Sequence, residues 1–259
     1  MLGAIIGDIV GSRFEFNNTD REDFELFTPE CSYTDDTICT IAVADAILNA
    51  NSYKESILKW CRKYPEPKGS YGGFFESWIH KKNPKPYNSY GNGSAMRVSP
   101  VGWAFDSEKE VFEQAKLSAI ISHNHPEGIK GAQCVADLIY SLRKRNIRKR
   151  VSDITLFVRS KFGYTIPSLK SVKATNTFDC TCQETVPRAI RCFLQSKDFE
   201  DTIRIAISTG GDSDTLGAIA GSIAESWFDI PERIMSKVMD YLPDDMIEVI
   251  EKFTEKFGK

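Results

Sequence analysis

No run of the 259 residues is both long and apolar enough to span a bilayer. The opening Met1-Leu-Gly-Ala-Ile-Ile-Gly7 has no basic lead and is cut short by Asp8. Neither a secretory signal nor a membrane anchor is read there, and the chain is expected to be cytoplasmic. Positive charge is also scarce: 33 basic residues face 36 acidic ones, a net charge of −3. Long-range attraction to nucleic acid or anionic lipid is therefore missing, and no nucleic-acid or membrane role is assigned. The one basic run, Arg143 to Arg150, suits a helix C-terminus and a solvated turn. The seven cysteines are odd in number and include no Cys-x-x-Cys, which excludes an ordinary disulfide framework. Cys180-Thr-Cys182 with His123 and His125 matches no zinc module and reads as buried or loop thiols. Nothing demands an oligomer, so a monomer is expected.

Alternating β patterns are nearly absent too, and neither a linker nor an internal repeat is visible. The chain reads as a single all-α domain over residues 1–259. Helical periodicity places helices at Asp36 to Leu48, Tyr53 to Arg62, Phe74 to His80, Glu108 to Ser122 and Ile129 to Lys144. Others are expected at Ser152 to Lys161, Val186 to Gln195, Phe199 to Ser208, Asp214 to Trp227, Pro231 to Tyr241 and Asp244 to Phe257. Gly3, Gly7 and Gly11 recur every fourth residue and would form a smooth stripe on a further, centrally packed helix. A nucleotide-binding glycine loop is the competing reading, but no preceding strand or Lys-Ser/Thr ending supports it.

What is abundant is oxygen at helix starts. Thr209-Gly-Gly-Asp-Ser-Asp-Thr-Leu216 and Tyr33-Thr-Asp-Asp-Thr37 each read as a turn feeding a helix N-terminus, where Ser, Thr and Asp accept hydrogen bonds from free N–H groups. Capping explains one or two acids. Asp35, Asp36, Asp212 and Asp214 are four, with Thr34 and Thr215 beside them. If the two ends converge, they form an oxygen cage for hard divalent cations, and four carboxylates balance the charge of two such ions.

Loops lie before and between the two motifs, and read either as solvated turns or as segments over a site. Glu15 sits between Phe14 and Phe16. Tyr64 to Gly73 and Lys81 to Tyr90 are rich in Pro, Gly and Tyr, and lead into Gly91-Asn-Gly-Ser-Ala-Met-Arg97. Exposed N–H groups of such a loop can hold phosphate while Tyr90 stacks on a base. Asn92 beside glycine is also a routine turn residue, and His123 before Pro126 reads equally as a helix-end cap or as a group facing a pocket.

Taken in order, Gly3-Ala-Ile-Ile-Gly-Asp8, Glu15-Phe16, Thr34-Asp-Asp-Thr37, Tyr90-Gly-Asn-Gly-Ser-Ala-Met-Arg97, the His123 segment and Gly210-Gly-Asp-Ser-Asp-Thr215 resemble the ADP-ribosylglycohydrolase family over nearly the whole chain. The resemblance implies a compact, orthogonal multi-helix bundle with a central binuclear cleft holding two divalent cations, Mg2+ or Mn2+. It implies Thr34, Asp35, Asp36, Asp212, Asp214 and Thr215 as metal ligands. Ser89, Tyr90, Gly91, Asn92, Gly93, Ser94 and His123 would hold the ADP-ribose moiety, with Tyr90 next to adenine. Glu15, Asp35 and Asp36 would handle protons.

The implied reaction is hydrolysis of the bond between ADP-ribose and a protein side chain, arginine first among the acceptors, or release from a small ADP-ribosyl substrate. Two other classes remain open at this point: a module that binds ADP-ribose without turnover, and a two-metal nucleotide phosphatase or pyrophosphatase. Product identity separates them.

Overall fold

The computed structural model describes residues 1–175 and 178–258, and among these it is helical with no β-strand. In chain order the helices are α1 (Leu2–Gly11), α2 (Asp35–Leu48), α3 (Tyr53–Lys63), α4 (Gly73–His80), α5 (Gly93–Met96), α6 (Ser99–Ala104), α7 (Glu108–Ala119) and α8 (Pro126–Arg143). They continue with α9 (Val151–Phe162), α10 (Leu169–Thr175), α11 (Cys182–Gln195), α12 (Phe199–Ser208), α13 (Ser213–Glu225), α14 (Glu232–Met239) and α15 (Asp244–Phe257). One isolated bridge pairs Gly91 with Thr181.

The glycine stripe explains how the centre is built. A side chain on Gly217 of α13 would come within 2.6 Å of the Gly7 carbonyl of α1, and one on Gly11 within 2.6 Å of the Asp214 Cα. The two backbones touch, which only residues without a Cβ allow. This close approach brings Asp8, one residue past Gly7, alongside the start of α13. Around the pair, Ile5, Ile9, Ile38, Ile41, Leu138, Phe193 and Ile219 join one buried apolar cluster. Helix α2 is buried nearly all round from Asp36 to Ala46, so the acids at its N-terminus are anchored in the core.

Several boundaries differ from the sequence reading. Pro126 and Gly128 do not merely break a pattern: Pro126 opens α8, with the His125 ring accepting from the Glu127 N–H, because proline lacks only an N–H that a first turn leaves free. Helix α11 starts at Cys182 rather than Val186 and carries Pro187 inside it. The Gly91 to Arg97 stretch, read as loop, contains the turn α5; α6 and α10 were not anticipated, being short and weakly periodic. No helix among the described residues is long and apolar enough to cross a membrane.

Candidate active site

Three pieces of chain converge on one cleft of about 370 Å3: the loop after α1, the start of α2 and the Gly210-Gly211 turn into α13. The turn needs its glycines, since φ is +68° at Gly210 and +80° at Gly211. It points Asp212, Asp214 and Thr215 at the N-terminus of α2.

Carboxylate oxygens of Asp8, Asp36 and Asp214 lie within 4.8 Å of one another, and so do those of Glu15, Asp212 and Asp214. Asp214 belongs to both groups. Ligand oxygens across a magnesium-sized ion are about 4.2 Å apart, twice the metal–oxygen distance, so each group has the spacing of a cation's ligands. Asp35 lines the cleft beside them.

The electrostatics point the same way. Burial, then the charges of Asp8, Asp35 and Asp212, hold the Asp36 carboxyl well above the usual range; burial, then Asp212 and Asp36, does the same to Asp214. Asp35 is pushed well up by burial, then by Asp8 and Asp212. Burial raises Glu15 to about 7, with Asp212 and Asp8 adding to it and Lys68 opposing. Such a cluster needs protons or cations to fold around. Asp36 leaves an oxygen open to a cation: its Oδ2 accepts from the Thr215 hydroxyl at 3.0 Å, while its Oδ1 is buried with no hydrogen-bond partner among the described residues. Hard oxygen donors, matching spacing and an orphaned carboxylate oxygen fit a divalent cation.

Asp8 supports this cluster in a way the sequence reading missed. It accepts from the Thr34 N–H (3.0 Å), the Thr34 hydroxyl (2.7 Å), the Thr37 N–H (3.0 Å) and the Thr37 hydroxyl. Thr34 in turn accepts from the Asp36 N–H at 3.2 Å. Asp8 therefore caps α2 from a different helix and fixes the two acids that follow. Its signal was available: it is the only acid in an otherwise glycine and apolar helix.

Asn18 was also missed. Its amide donates to the carbonyls of Phe14, Glu15 and Gly211, and its oxygen accepts from the Gly211 N–H at 2.8 Å. It ties the Glu15 loop to the aspartate turn. No local pattern marks it.

The remaining expected site residues divide. Glu15, Asp35, Ser89, Gly91, Asn92, Gly93, His123, Asp212, Asp214 and Thr215 line the cleft. Asn92 donates to Asp212 Oδ2 at 2.7 Å and to Thr185 Oγ1 at 3.1 Å, so its side chain is more than a turn residue. Ser89 accepts from the Gly91 N–H at 3.2 Å. Thr34 and Asp36 lie buried behind the lining.

Two residues fall elsewhere. Ser94 is fully buried and donates to the Gly128 carbonyl at 2.7 Å, because α5 turns its hydroxyl away from the cleft. Tyr90 is half-exposed and packs on His125, ring centres 5.2 Å apart, outside the lining. The aromatic walls are instead the stacked pair Phe16 and Phe178 (5.9 Å) and the pair Phe74 and Tyr87 (6.2 Å). Of the Tyr64 to Gly73 loop, Gly69 to Gly73 line the cleft, followed by Phe74 and Phe75 of α4. The described histidines and cysteines form no ligand group, and all seven thiols are free.

The helical frame thus carries an acid-lined cleft suited to divalent cations, a kind of site that two-metal hydrolases use. The sequence matches the ADP-ribosylglycohydrolase family over residues 1–259, and the chain belongs to that family, hydrolases acting on glycosidic bonds of ADP-ribose. Among its relatives are human ADP-ribosylhydrolase ARH3, 25% identical over 95% of this chain and 90% of that one, and the mouse protein of the same name, 24% identical over 98% and 87%. ADP-ribosylarginine hydrolase Tri1 of Pseudomonas putida (strain GB-1) is 22% identical over 89% and 70%. A solved ADP-ribosylglycohydrolase-related protein complex shares the fold, with a TM-score of 0.72 at 21% identity over 98% of this chain and 95% of that one.

Proposed function

We propose that the chain is a divalent-cation-dependent hydrolase that cleaves the bond between ADP-ribose and a protein side chain, arginine first, and releases intact ADP-ribose. The observation that carries it is the double carboxylate group sharing Asp214, with Asp36 Oδ1 unpartnered inside it. Two Mg2+ or Mn2+ ions are the stoichiometry two adjacent groups favour. Asp36, Asp212, Asp214 and Thr215 would hold them, with Asp35 at the cleft face and Thr34 and Asp8 behind. When bound, such ions fix ribose hydroxyls and lower the pKa of a water.

The chain's own groups do the rest. Asn92 orients Asp212 through the 2.7 Å hydrogen bond. Glu15, which lines the cleft beside Asp212 and Asp214, can take a proton from the attacking water and return one to the departing nitrogen or oxygen. The carboxylates favour the positive charge that builds at the anomeric carbon as the bond to the acceptor breaks. Water supplies the new oxygen there, and the acceptor leaves protonated. The aromatic pairs Phe16–Phe178 and Phe74–Tyr87 form apolar walls against which a guanidinium or a base can lie flat.

An acid-lined cleft with aromatic walls favours a cationic acceptor, and one relative is named for ADP-ribosylarginine. The test is kcat/KM on matched peptides carrying ADP-ribose on arginine or on serine, with products weighed by mass spectrometry. Faster arginine release supports the assignment. Preference for serine would retain the hydrolase and remove the arginine assignment, and AMP or phosphate as product would contradict both.

A further inference from the structure

His123 lies between α7 and α8, and its ring is held from one side only. Nδ1 is 2.8 Å from the Ser122 hydroxyl oxygen. Nε2 has no hydrogen-bond partner among the described residues and faces the cleft-lining glycines: a side chain on Gly93 would come within 3.0 Å of it, and one on Gly91 within 3.6 Å. The Tyr87 ring flanks it at 6.1 Å.

Ser122 decides which nitrogen carries the proton. Its oxygen receives a hydrogen bond from Arg97 Nη2 at 3.1 Å, and a guanidinium has donors only, so here the serine must accept. Ser122 is fully buried, and Nδ1 is the one acceptor that the described residues offer its single hydroxyl proton. Were Nδ1 protonated, it and Arg97 would both donate to Ser122, and the hydroxyl proton would be stranded in the core. Arg97 is itself fixed, fully buried and donating to the Ser118 carbonyl at 2.9 Å.

We infer that Arg97 and Ser122 are positioning residues that lock His123 as the neutral Nε2–H tautomer, so that it presents one fixed N–H donor to an oxygen of the bound ligand. His123 is then a donor and not a base, which leaves proton transfer to the carboxylates. Burial, then the Arg97 charge, depresses its basicity, in keeping with a ring that stays neutral. That the acceptor is an oxygen of ADP-ribose rests on the proposed function; the tautomer does not.

The test reads ring-nitrogen shifts by two-bond 1H–15N correlation on ligand-free, histidine-labelled protein, with the His123 signals identified by their loss in His123→Gln. Wild type should show a protonated Nε2 and a bare Nδ1, unchanged across roughly pH 6–8. Ser122→Ala should mix the tautomers and weaken ADP-ribose binding roughly five- to tenfold, while Ser122→Thr, which keeps the hydroxyl, should restore both. A protonated Nδ1 or an imidazolium in wild type, or an unchanged tautomer in Ser122→Ala, would overturn the inference. Absence of ADP-ribose binding by wild type with the expected tautomer would remove the function reading alone, because the tautomer is read without ligand.

Discussion

Stripping divalent cations should invert the ordinary acid sensitivity of this fold. Burial lifts Asp8 from 3.8 to about 6, a rise of about two units. A carboxyl whose folded pKa is raised stabilises the fold when protonated; that stability is fully present below about 3.8 and is lost as pH rises through about 6. Two units correspond to about 3 kcal/mol below about pH 3.8, and about half of that is present by pH 5, or roughly 3–6 °C in melting temperature for a chain of this size. Asp35, Asp36, Asp214 and Glu15 shift in the same direction. His123 opposes them, since its depressed pKa gives stability that is lost as pH falls below 6.5. Melting curves in chelator should therefore rise between about pH 8 and 5 relative to curves with excess Mg2+ or Mn2+, in which bound ions keep the acids ionised. His123 enters both arms and cancels in the difference. Parallel curves with and without metal would refute the reasoning.

Glu15→Gln should lower kcat by about a hundredfold or more while ADP-ribose affinity, read by calorimetry, stays within a few-fold; an affinity loss alone would make Glu15 a contact rather than a proton carrier. Gly7→Ala should destabilise by about 3 kcal/mol or more, seen as a large drop in melting temperature, because the added methyl meets the Gly217 backbone. Asn18→Ala should cost less stability but raise KM and expose the loop around Glu15 to protease, since it frees that loop from Gly211. Unchanged cleavage and KM would show that the loop is held by other contacts.

The sequence carried the chemistry further than the geometry. Paired acids at two helix starts are legible because capping consumes few of them, and Gly3, Gly7 and Gly11 are legible because only close approach uses such spacing. Asp8 was passed over as a break in an apolar run, since one residue cannot announce that its partners are Thr34 and Thr37, more than 25 positions away. Tyr90 and Ser94 sit in the right motif, yet the direction of a side chain around the turn at α5 depends on packing against His125 and Gly128. Phe178 joins the cleft by stacking on Phe16 across 162 positions, which no local pattern encodes. Proline misled once: Pro126, read as a break, opens α8 at a first turn, where proline is at home.

The central claim is that this carboxylate cluster works by holding divalent cations while an ADP-ribosyl bond is cleaved. Its most direct test is the release of intact ADP-ribose, by mass, from an ADP-ribosylated substrate in chelator, after Mg2+ or Mn2+ is restored, and with Asp36→Ala under the same restoration. The account predicts no release in chelator, recovery with metal, and none from the variant. Equal release in chelator, or full activity of Asp36→Ala, would contradict it.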